Sequence, residues 1–244
     1  MTTASTQSAY HGDLLPDLFL CHGYDARSIL PAGWQDGILR VARERAQLHV
    51  LVPTSVTSRE ASTDLRIPTW TVGGLAIAEH LPWVWEFYRG PVCELAQRLY
   101  PNERVLTTDQ PYGVNFNVQY GDPARNEHGV YERDGEQGRY EVHLDSNGLQ
   151  ANLYATEGDD GELVVSNEDS MDVWGVEAVE KNATVLRPRL GQLLMFDARR
   201  HSHYVRALKA RDAIRVSLVM NLYLENTGPE SARPADLSDH LARV

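Results

Sequence analysis

The sequence is poor in cysteine, in positive charge and in long apolar runs, and each shortage excludes a class of protein. Only two cysteines, Cys21 and Cys93, occur in 244 residues; they could pair, but so low a number fits a reducing compartment and argues against a role for disulfides. Lys and Arg number 23 against 34 Asp and Glu, giving a net charge of −11. This acidic balance argues against nucleic-acid and membrane-surface partners. No apolar run approaches the roughly 18 residues that a membrane span needs.

The overall composition is that of an ordinary globular protein, with 42% hydrophobic and 23% charged residues. The first residues lack the basic and apolar regions of a secretory signal, so we expect a cytoplasmic chain. No repeat or low-complexity linker divides the sequence. We therefore expect a single domain over residues 1–244, with a mainly helical part over 1–111, a β core over 112–225 and a tail over 226–244.

Helical periodicity dominates roughly the first hundred residues. Apolar residues recur at helical spacing within Gln35–His49, which predicts an amphipathic helix there. A second helical stretch covers Ile77–Leu99. Pro82 suits a first helical turn, whereas Gly90-Pro91 is expected to break the stretch into two helices packed end to end.

Strand periodicity replaces it from Tyr112 onward. Gly113–Tyr120 alternates strictly between apolar and polar side chains. Further β-rich segments, separated by Gly and Asp clusters, follow at Leu149–Tyr154, Glu162–Val165, Leu193–Phe196 and Ile214–Leu224. The predicted fold class is α+β, with helices first and a sandwich or barrel of short strands after them.

Two of these strands carry polar side chains on one face only. Asn115 and Asn117 share a face of the first strand, opposite its apolar residues, and Arg215, Ser217 and Asn221 share a face of the last. Burying amides or a guanidinium without partners is costly. These faces therefore line either a polar cavity or solvent.

His143, Asp145 and His203 form a candidate metal site. In a strand, positions i and i+2 project to one side, so His143 and Asp145 can offer an imidazole nitrogen and a carboxylate oxygen to one ion. Another strand can supply His203. Two His and one carboxylate on one face of an octahedral ion suit non-haem Fe(II). The pattern alone is weak, because surface residues in a chain with nine His would produce it by chance.

The residues around this pattern make it specific. Five motifs occur in the sequence: His143-x-Asp145, Gly161-Glu162-Leu163, Pro188-x-x-Gly191 before an apolar strand ending in Phe196, His203-x-Val205, and Arg215-x-Ser217. Between about Tyr112 and Glu225 the chain resembles the Fe(II)/2-oxoglutarate-dependent oxygenases of the prolyl-hydroxylase-like branch. The first hundred residues match that family only in being helical.

The resemblance implies a fold, a cofactor and a set of site residues. The implied fold is a double-stranded β-helix, a jelly-roll or cupin-like core buttressed by the N-terminal helices. His143, Asp145 and His203 would bind Fe(II), which reacts with O2. Arg215 and Ser217, together with Asn117, would hold the cosubstrate 2-oxoglutarate, whose carboxylate suits the bidentate fork of a guanidinium.

Two residues compete with these assignments. His201 shares the parity of His203, but Val205 places His203 in the family's His-x-Val motif. Arg211 competes with Arg215, but the turn-like context of Arg211 and the Arg-x-Ser motif both favour Arg215.

The expected reaction is hydroxylation of an unactivated C–H bond in a small metabolite, either a free amino acid or a natural-product intermediate. Asp145 stands where related halogenases have Gly or Ala, which leaves no position for a halide. Asn115, Asn221, Arg66 and Trp174 are the candidate substrate-binding residues. The same scaffold can also desaturate, epoxidise or cyclise. A cupin-like metal hydrolase or isomerase and a non-catalytic ligand-binding protein are the alternatives from other classes, and the sequence leaves the oligomeric state open.

Overall fold

The computed structural model describes residues 14–15, 20–51, 67–126, 140–145, 149–168 and 175–225. Within them the chain is a mixture of helices and antiparallel strands, as the predicted α+β class requires. Arg66, Trp174 and the tail expected over 226–244 lie outside the described residues.

The described helices are short and lie mostly in the first half of the chain. They are α1 (Trp34–Arg45), α2 (Gly74–His80), α3 (Trp83–Phe87), α4 (Cys93–Leu99), α5 (Pro123–Asn126) and α6 (Val176–Glu180). A π-helical turn, Tyr88–Val92, joins α3 to α4. A 3₁₀ turn follows at Pro111–Gly113. None of these helices is long and apolar enough to cross a membrane.

The helix boundaries differ from the predicted ones at two places. The helix expected to reach His49 ends at Arg45, because Ala46 adopts extended backbone and Gln47–Leu51 pairs as a strand. The break expected at Gly90-Pro91 is wrong, since the chain stays helical through that point. The wider π turn accommodates Pro91, which has no N–H to donate to the preceding turn.

The strands form two antiparallel sheets. We label them β1 (Leu14–Leu15), β2 (Leu20–Asp25), β3 (Gln47–Leu51), β4 (Ile67–Gly73), β5 (Val105–Leu106), β6 (Val114–Tyr120), β7 (Tyr140–His143), β8 (Leu149–Tyr154), β9 (Leu163–Ser166), β10 (Ala183–Leu186), β11 (Gln192–Phe196), β12 (His203–Val205) and β13 (Ile214–Leu224). The main sheet runs β1-β2-β11-β8-β13-β6-β4-β3, with β5 also pairing with β13. The second sheet runs β10-β9-β12-β7.

The prediction of β segments is confirmed at β6, β8, β9, β11 and β13, and it fails for the strands that lie among the helices. The long strands β6, β8 and β13 fall where the sequence placed them. Strands β2, β3 and β4, in the part expected to be mainly helical, were missed. They extend the main sheet at both of its edges.

One face of the main sheet packs against the helices and forms the larger core. Phe116 of β6, Leu153 of β8 and Leu218 of β13 are fully buried there, beside Ile38 of α1 and Val84 of α3. The alternation of apolar residues along the strands therefore produces a continuous buried layer.

The other face of the main sheet looks toward the second sheet. Leu163 and Val165 of β9 pack there with Leu194 and Phe196 of β11 and with Tyr154 of β8. The polar side chains of β6, β8 and β13 share this interior face.

Candidate metal centre

Strand pairing brings His143, Asp145 and His203 together. His143 of β7 lies directly opposite His203 of β12 in the second sheet, and Asp145 follows two residues after His143. One ligand atom from each residue lies within 4.8 Å of the other two. The Nε2 atom of His143 is 3.3 Å from Oδ1 of Asp145, and the Nε2 atom of His203 is 3.9 Å from Oδ2.

The two imidazoles lie close together in a largely buried position. Their ring centroids are 4.2 Å apart, and the His203 side chain meets the edge of the Phe196 ring at 4.9 Å. His203 is only 2% exposed. Apolar walls and the β12 backbone therefore restrict the orientation of this ring.

The hydrogen bonding of His203 leaves its Nε2 available to a cation. Its Nδ1 atom lies 3.0 Å from the backbone carbonyl oxygen of His201, which requires a proton on Nδ1. Burial, and after it the neighbouring His143, lower the pKa of His203 from 6.5 to about 4. The ring is therefore neutral near pH 7, with the Nε2 lone pair directed at the cluster, as a metal ligand requires.

The Asp145 carboxylate is held by groups that the sequence analysis did not single out. The Asp145 N–H donates to the carbonyl of Ala198 at 2.9 Å. The side-chain amide of Gln150 donates to Oδ2 of Asp145, and Asn152 donates to Gln150 Oε1 at 2.9 Å. Alternation along β8 would have revealed both amides, because Gln150 and Asn152 share parity opposite its apolar residues.

His201, the rival to His203, has a different position. It is buried, and its Nδ1 atom lies 3.0 Å from the carbonyl oxygen of Ser166. In the described part of the chain, the group able to hold a metal ion consists of His143, Asp145 and His203, without His201.

The interior face of the main sheet carries a continuous polar row beside this cluster. Across the register, Thr71 of β4 lies opposite Asn117 of β6, Asn117 opposite Ser217 of β13, and Ser217 opposite Tyr154 of β8. Arg215 occupies the next inward position along β13. The sequence analysis included Asn117, Ser217 and Arg215 but missed Thr71 and Tyr154.

Arg215 is a buried cation whose polar atoms are only partly satisfied. It is 6% exposed, its Nη1 atom lies 3.5 Å from Ser217 Oγ, and its guanidinium carbon lies 5.1 Å from the centre of the Tyr154 ring. Within the described part of the chain, Arg215 Nε has no hydrogen-bond partner, and the Tyr154 hydroxyl interacts with the Arg215 side chain. A buried guanidinium left in this way fits an anionic ligand.

A glycine makes room for this arginine. Gly161 has a φ of +67°, and a Cβ atom there would lie 2.7 Å from Leu208 and 3.1 Å from the Arg215 Cδ atom. The Gly-Glu-Leu motif therefore has a physical basis at its first residue, because only glycine suits both the backbone and the space.

The other candidate residues differ in how they are bound. Asn115 donates to Asn117 Oδ1 at 2.7 Å, inside the polar face. Asn221 donates to the carbonyl of Tyr112 at 2.7 Å, a contact that ties β13 to the 3₁₀ turn. The Arg211 side chain is 82% exposed, with its Nε atom 3.7 Å from Asp122, so it does not face the interior.

The donor set fits a six-coordinate divalent cation with open positions. Two imidazole nitrogens and one carboxylate form the combination typical of non-haem Fe(II) sites. The unsatisfied guanidinium, with Ser217 and the Tyr154 hydroxyl nearby, fits a carboxylate-bearing small molecule. The donors for a metal ion lie on the second sheet and those for an anionic ligand on the main sheet that faces it.

Comparison with known proteins finds similarity at the level of structure. No protein-family model matches the sequence, and no curated protein matches it. An oxidoreductase of the 2OG-Fe(II) oxygenase family from Burkholderia pseudomallei aligns with a TM-score of 0.53 at 12% identity, over 84% of each chain. AviO1 from Streptomyces viridochromogenes Tue57 aligns with a TM-score of 0.56 at 12% identity, over 88% of this chain and 92% of its own.

A third solved structure is the non-haem α-ketoglutarate-dependent carbocyclase SnoK from nogalamycin biosynthesis. It aligns with a TM-score of 0.55 at 13% identity, over 89% of this chain and 85% of its own. These structural alignments establish the fold, and sequence identities this low establish nothing beyond it. The resemblance predicted from the five motifs is confirmed at that level, and the chain has the fold of the Fe(II)/2-oxoglutarate-dependent oxygenases.

Proposed function

We propose that this chain is an Fe(II)- and 2-oxoglutarate-dependent dioxygenase that hydroxylates an unactivated C–H bond of a small metabolite. The proposal includes the finer fold assignment, a double-stranded β-helix of the jelly-roll type. The strand order supports it, because β6 to β13 pass repeatedly between the main sheet and the second sheet. The helices packed on the main sheet provide the predicted buttress.

Arg215 is the observation that carries the proposal. A metal hydrolase needs the His–Asp–His cluster but has no use for a buried guanidinium on the facing sheet. Arg215 is buried, its Nε atom has no partner among the described residues, and Ser217 lies beside it. The distal carboxylate of 2-oxoglutarate would satisfy this group with charge-assisted hydrogen bonds.

The roles of the residues follow from their positions. His143, Asp145 and His203 would hold the iron, and Arg215 with Ser217 would hold 2-oxoglutarate. When bound, iron and 2-oxoglutarate supply the oxidative chemistry: one O2 and one 2-oxoglutarate are consumed, and succinate, CO2 and one hydroxylated product are released. The protein contributes orientation and exclusion of water.

Two further polar groups, Asn117 and Tyr154, complete the proposed cosubstrate site. Asn117, predicted as a cosubstrate ligand, lies opposite Ser217 in the sheet register. Tyr154 is an addition from the structure, since its ring lies beside the guanidinium. Burial raises the pKa of the Tyr154 hydroxyl, so this group is a neutral donor at physiological pH.

Hydroxylation is the proposed outcome, and desaturation, epoxidation and cyclisation are the competing ones. Asp145 occupies the coordination position that a halide would need, which argues against chlorination. The structural neighbours named as an epimerase and a carbocyclase show that this fold supports several outcomes. The products of the reaction therefore have to be identified directly.

The proposed substrate is a free amino acid or a natural-product intermediate. The net charge of −11 disfavours nucleic acid, and two structural neighbours are named for nogalamycin biosynthesis. Asn115, on the interior face, is the best-placed candidate for substrate contact. Asn221 is a weaker one, because its amide nitrogen is bonded to the Tyr112 carbonyl. The roles of Arg66 and Trp174 and a cytoplasmic location stay predictions.

Turnover of 2-oxoglutarate tests this function. The purified chain is incubated with Fe(II), O2 and 2-oxoglutarate against a panel of amino acids, and succinate is measured with the product masses. We expect slow Fe(II)-dependent succinate formation without substrate, and stimulation by one compound that gains about 16 mass units, the mass of one oxygen atom. Failure of Fe(II) to support any 2-oxoglutarate consumption would favour a hydrolase or a non-catalytic binding protein.

A further inference from the structure

We propose that Gln150 is a positioning residue that holds the Asp145 carboxylate so that only one of its oxygens is available to the metal. This inference rests on the proposed function and assigns a role to a side chain outside the His–Asp–His cluster. Asn152 acts through Gln150 by fixing the orientation of its amide.

The hydrogen bonds run from Asn152 through Gln150 to Asp145, with each residue donating to the next. Asn152 Nδ2 donates to Gln150 Oε1 at 2.9 Å, and Gln150 Nε2 donates to Asp145 Oδ2. Gln150 and Asn152 are two residues apart on β8, so both point from that strand into the interior.

The chemistry of the groups dictates this direction. An ionised carboxylate only accepts hydrogen bonds, so Gln150 must present its NH2 group to Asp145. The amide of Asn152 donates to the carbonyl oxygen of Gln150, which prevents the Gln150 amide from reversing. Asn152 is 4% exposed, and water therefore competes poorly for these bonds.

The neighbouring strands keep Gln150 in place. In the sheet register it lies opposite Phe196 of β11 on one side and Asn221 of β13 on the other. Phe196 also contacts the His203 ring. One apolar side chain thus packs beside both the positioning amide and a proposed metal ligand.

The consequence concerns the number of open coordination positions. Two imidazoles and one carboxylate oxygen leave half of an octahedral ion's positions open. Under the proposed function, 2-oxoglutarate would take two of the open positions and O2 would need the last. If both oxygens of Asp145 bound the ion, no position would remain for O2, and the hydrogen bond from Gln150 to Oδ2 opposes that arrangement.

Metal binding to the chain tests the inference without relying on catalysis. The metal-free protein is titrated with Co(II) under anaerobic conditions, and the visible absorption reports both affinity and coordination. The variants are Gln150→Leu, which removes the donor, and Asn152→Asp, which keeps Gln150 but replaces the donor to its Oε1 with an acceptor. Gln35→Leu is the matched control, because Gln35 loses a comparable amide bond, to the Ala155 carbonyl on the helical side.

Gln150→Leu should weaken Co(II) binding by roughly 10- to 100-fold, the usual effect of removing an outer-shell partner, and alter the Co(II) spectrum. Asn152→Asp should alter the spectrum in the same sense, whereas Gln35→Leu should behave as wild type. Thermal unfolding of each metal-free variant separates loss of fold from loss of positioning.

Two results would overturn the inference, and they are distinguishable. Wild-type Co(II) affinity and spectrum in folded Gln150→Leu would remove the role of Gln150 and leave the proposed function intact. Absence of Co(II) binding in the wild type, or equal binding by His203→Ala, would remove the metal site and the inference with it.

Discussion

The two faces of the main sheet are made by the same strands and yet have opposite properties. On the helical side, Phe116 and Leu218 are completely buried among apolar neighbours. At the adjacent positions of the same strands, Asn117 and Ser217 face the second sheet. The comparison shows that alternation along a strand places apolar side chains in the core on one face and polar side chains in the interior on the other.

The buried polar atoms without partners separate the two faces further. Among the described residues, Thr71 Oγ1, Gln192 Oε1 and Arg215 Nε lack hydrogen-bond partners at interior-facing positions of the main sheet, and Ser202 Oγ lacks one outside that sheet. Each unsatisfied buried group costs about 1–3 kcal/mol. Under the proposed function, a ligand bound in the interior would supply partners to the groups on the main sheet.

The largest expected effect is on turnover of 2-oxoglutarate, and it comes from removing a proposed metal ligand in the interior between the sheets. His203→Ala should abolish 2-oxoglutarate turnover while circular dichroism shows a retained fold, since the imidazole supplies a ligand more than packing. The measurement is Fe(II)-dependent succinate release. His201→Ala is the matched variant and should retain turnover. If His201→Ala loses turnover and His203→Ala retains it, His201 and not His203 is the metal ligand.

A truncation on the helical face should give the opposite pattern. Phe116→Ala removes a fully buried ring and should lower the free energy of unfolding by about 3–5 kcal/mol. Below its unfolding temperature the variant should still bind Co(II) with wild-type affinity. Chemical denaturation and Co(II) titration measure the two effects, and loss of metal binding by the folded variant would refute the separation of the faces.

A smaller effect, on the affinity for 2-oxoglutarate, is expected when a cationic side chain keeps its charge but changes its hydrogen-bonding geometry. Arg215→Lys keeps the cation but loses the bidentate fork, so the 2-oxoglutarate KM should rise by roughly 10- to 100-fold, as loss of a charged hydrogen bond implies. Arg211→Lys is the control and should leave the KM unchanged, since Arg211 is exposed. The KM for 2-oxoglutarate is measured by steady-state kinetics. A raised KM in Arg211→Lys with an unchanged KM in Arg215→Lys would show that Arg211 is the anchor.

The sequence was most informative where strand alternation was long. Strands β6, β8 and β13 have clear period-two patterns, and their bounds were predicted closely. The short strands β7 and β12, which carry the metal cluster, have too few residues to show a period. Their histidines were found from motif chemistry and not from strand pattern.

The remaining parts of the site depend on tertiary placement. Gln150 and Tyr154 share parity on β8, but only the pairing of β8 with β13 shows that Tyr154 lies beside Ser217. Which sheet a strand joins is decided by non-local pairing, which local periodicity does not encode. The strand Gln47–Leu51 was likewise missed because a helical pattern runs directly into it.

Anaerobic visible absorption tests the central claim most directly. A ferrous ion chelated by a 2-oxo acid absorbs visible light, so adding 2-oxoglutarate to the Fe(II)-loaded chain should produce a new saturable band with one equivalent bound. Succinate, which lacks the keto group, should produce none, and His203→Ala should show no band with either acid. Absence of the band in the wild type, or an undiminished band in His203→Ala, would contradict the assignment of the interior face as an iron and 2-oxoglutarate site.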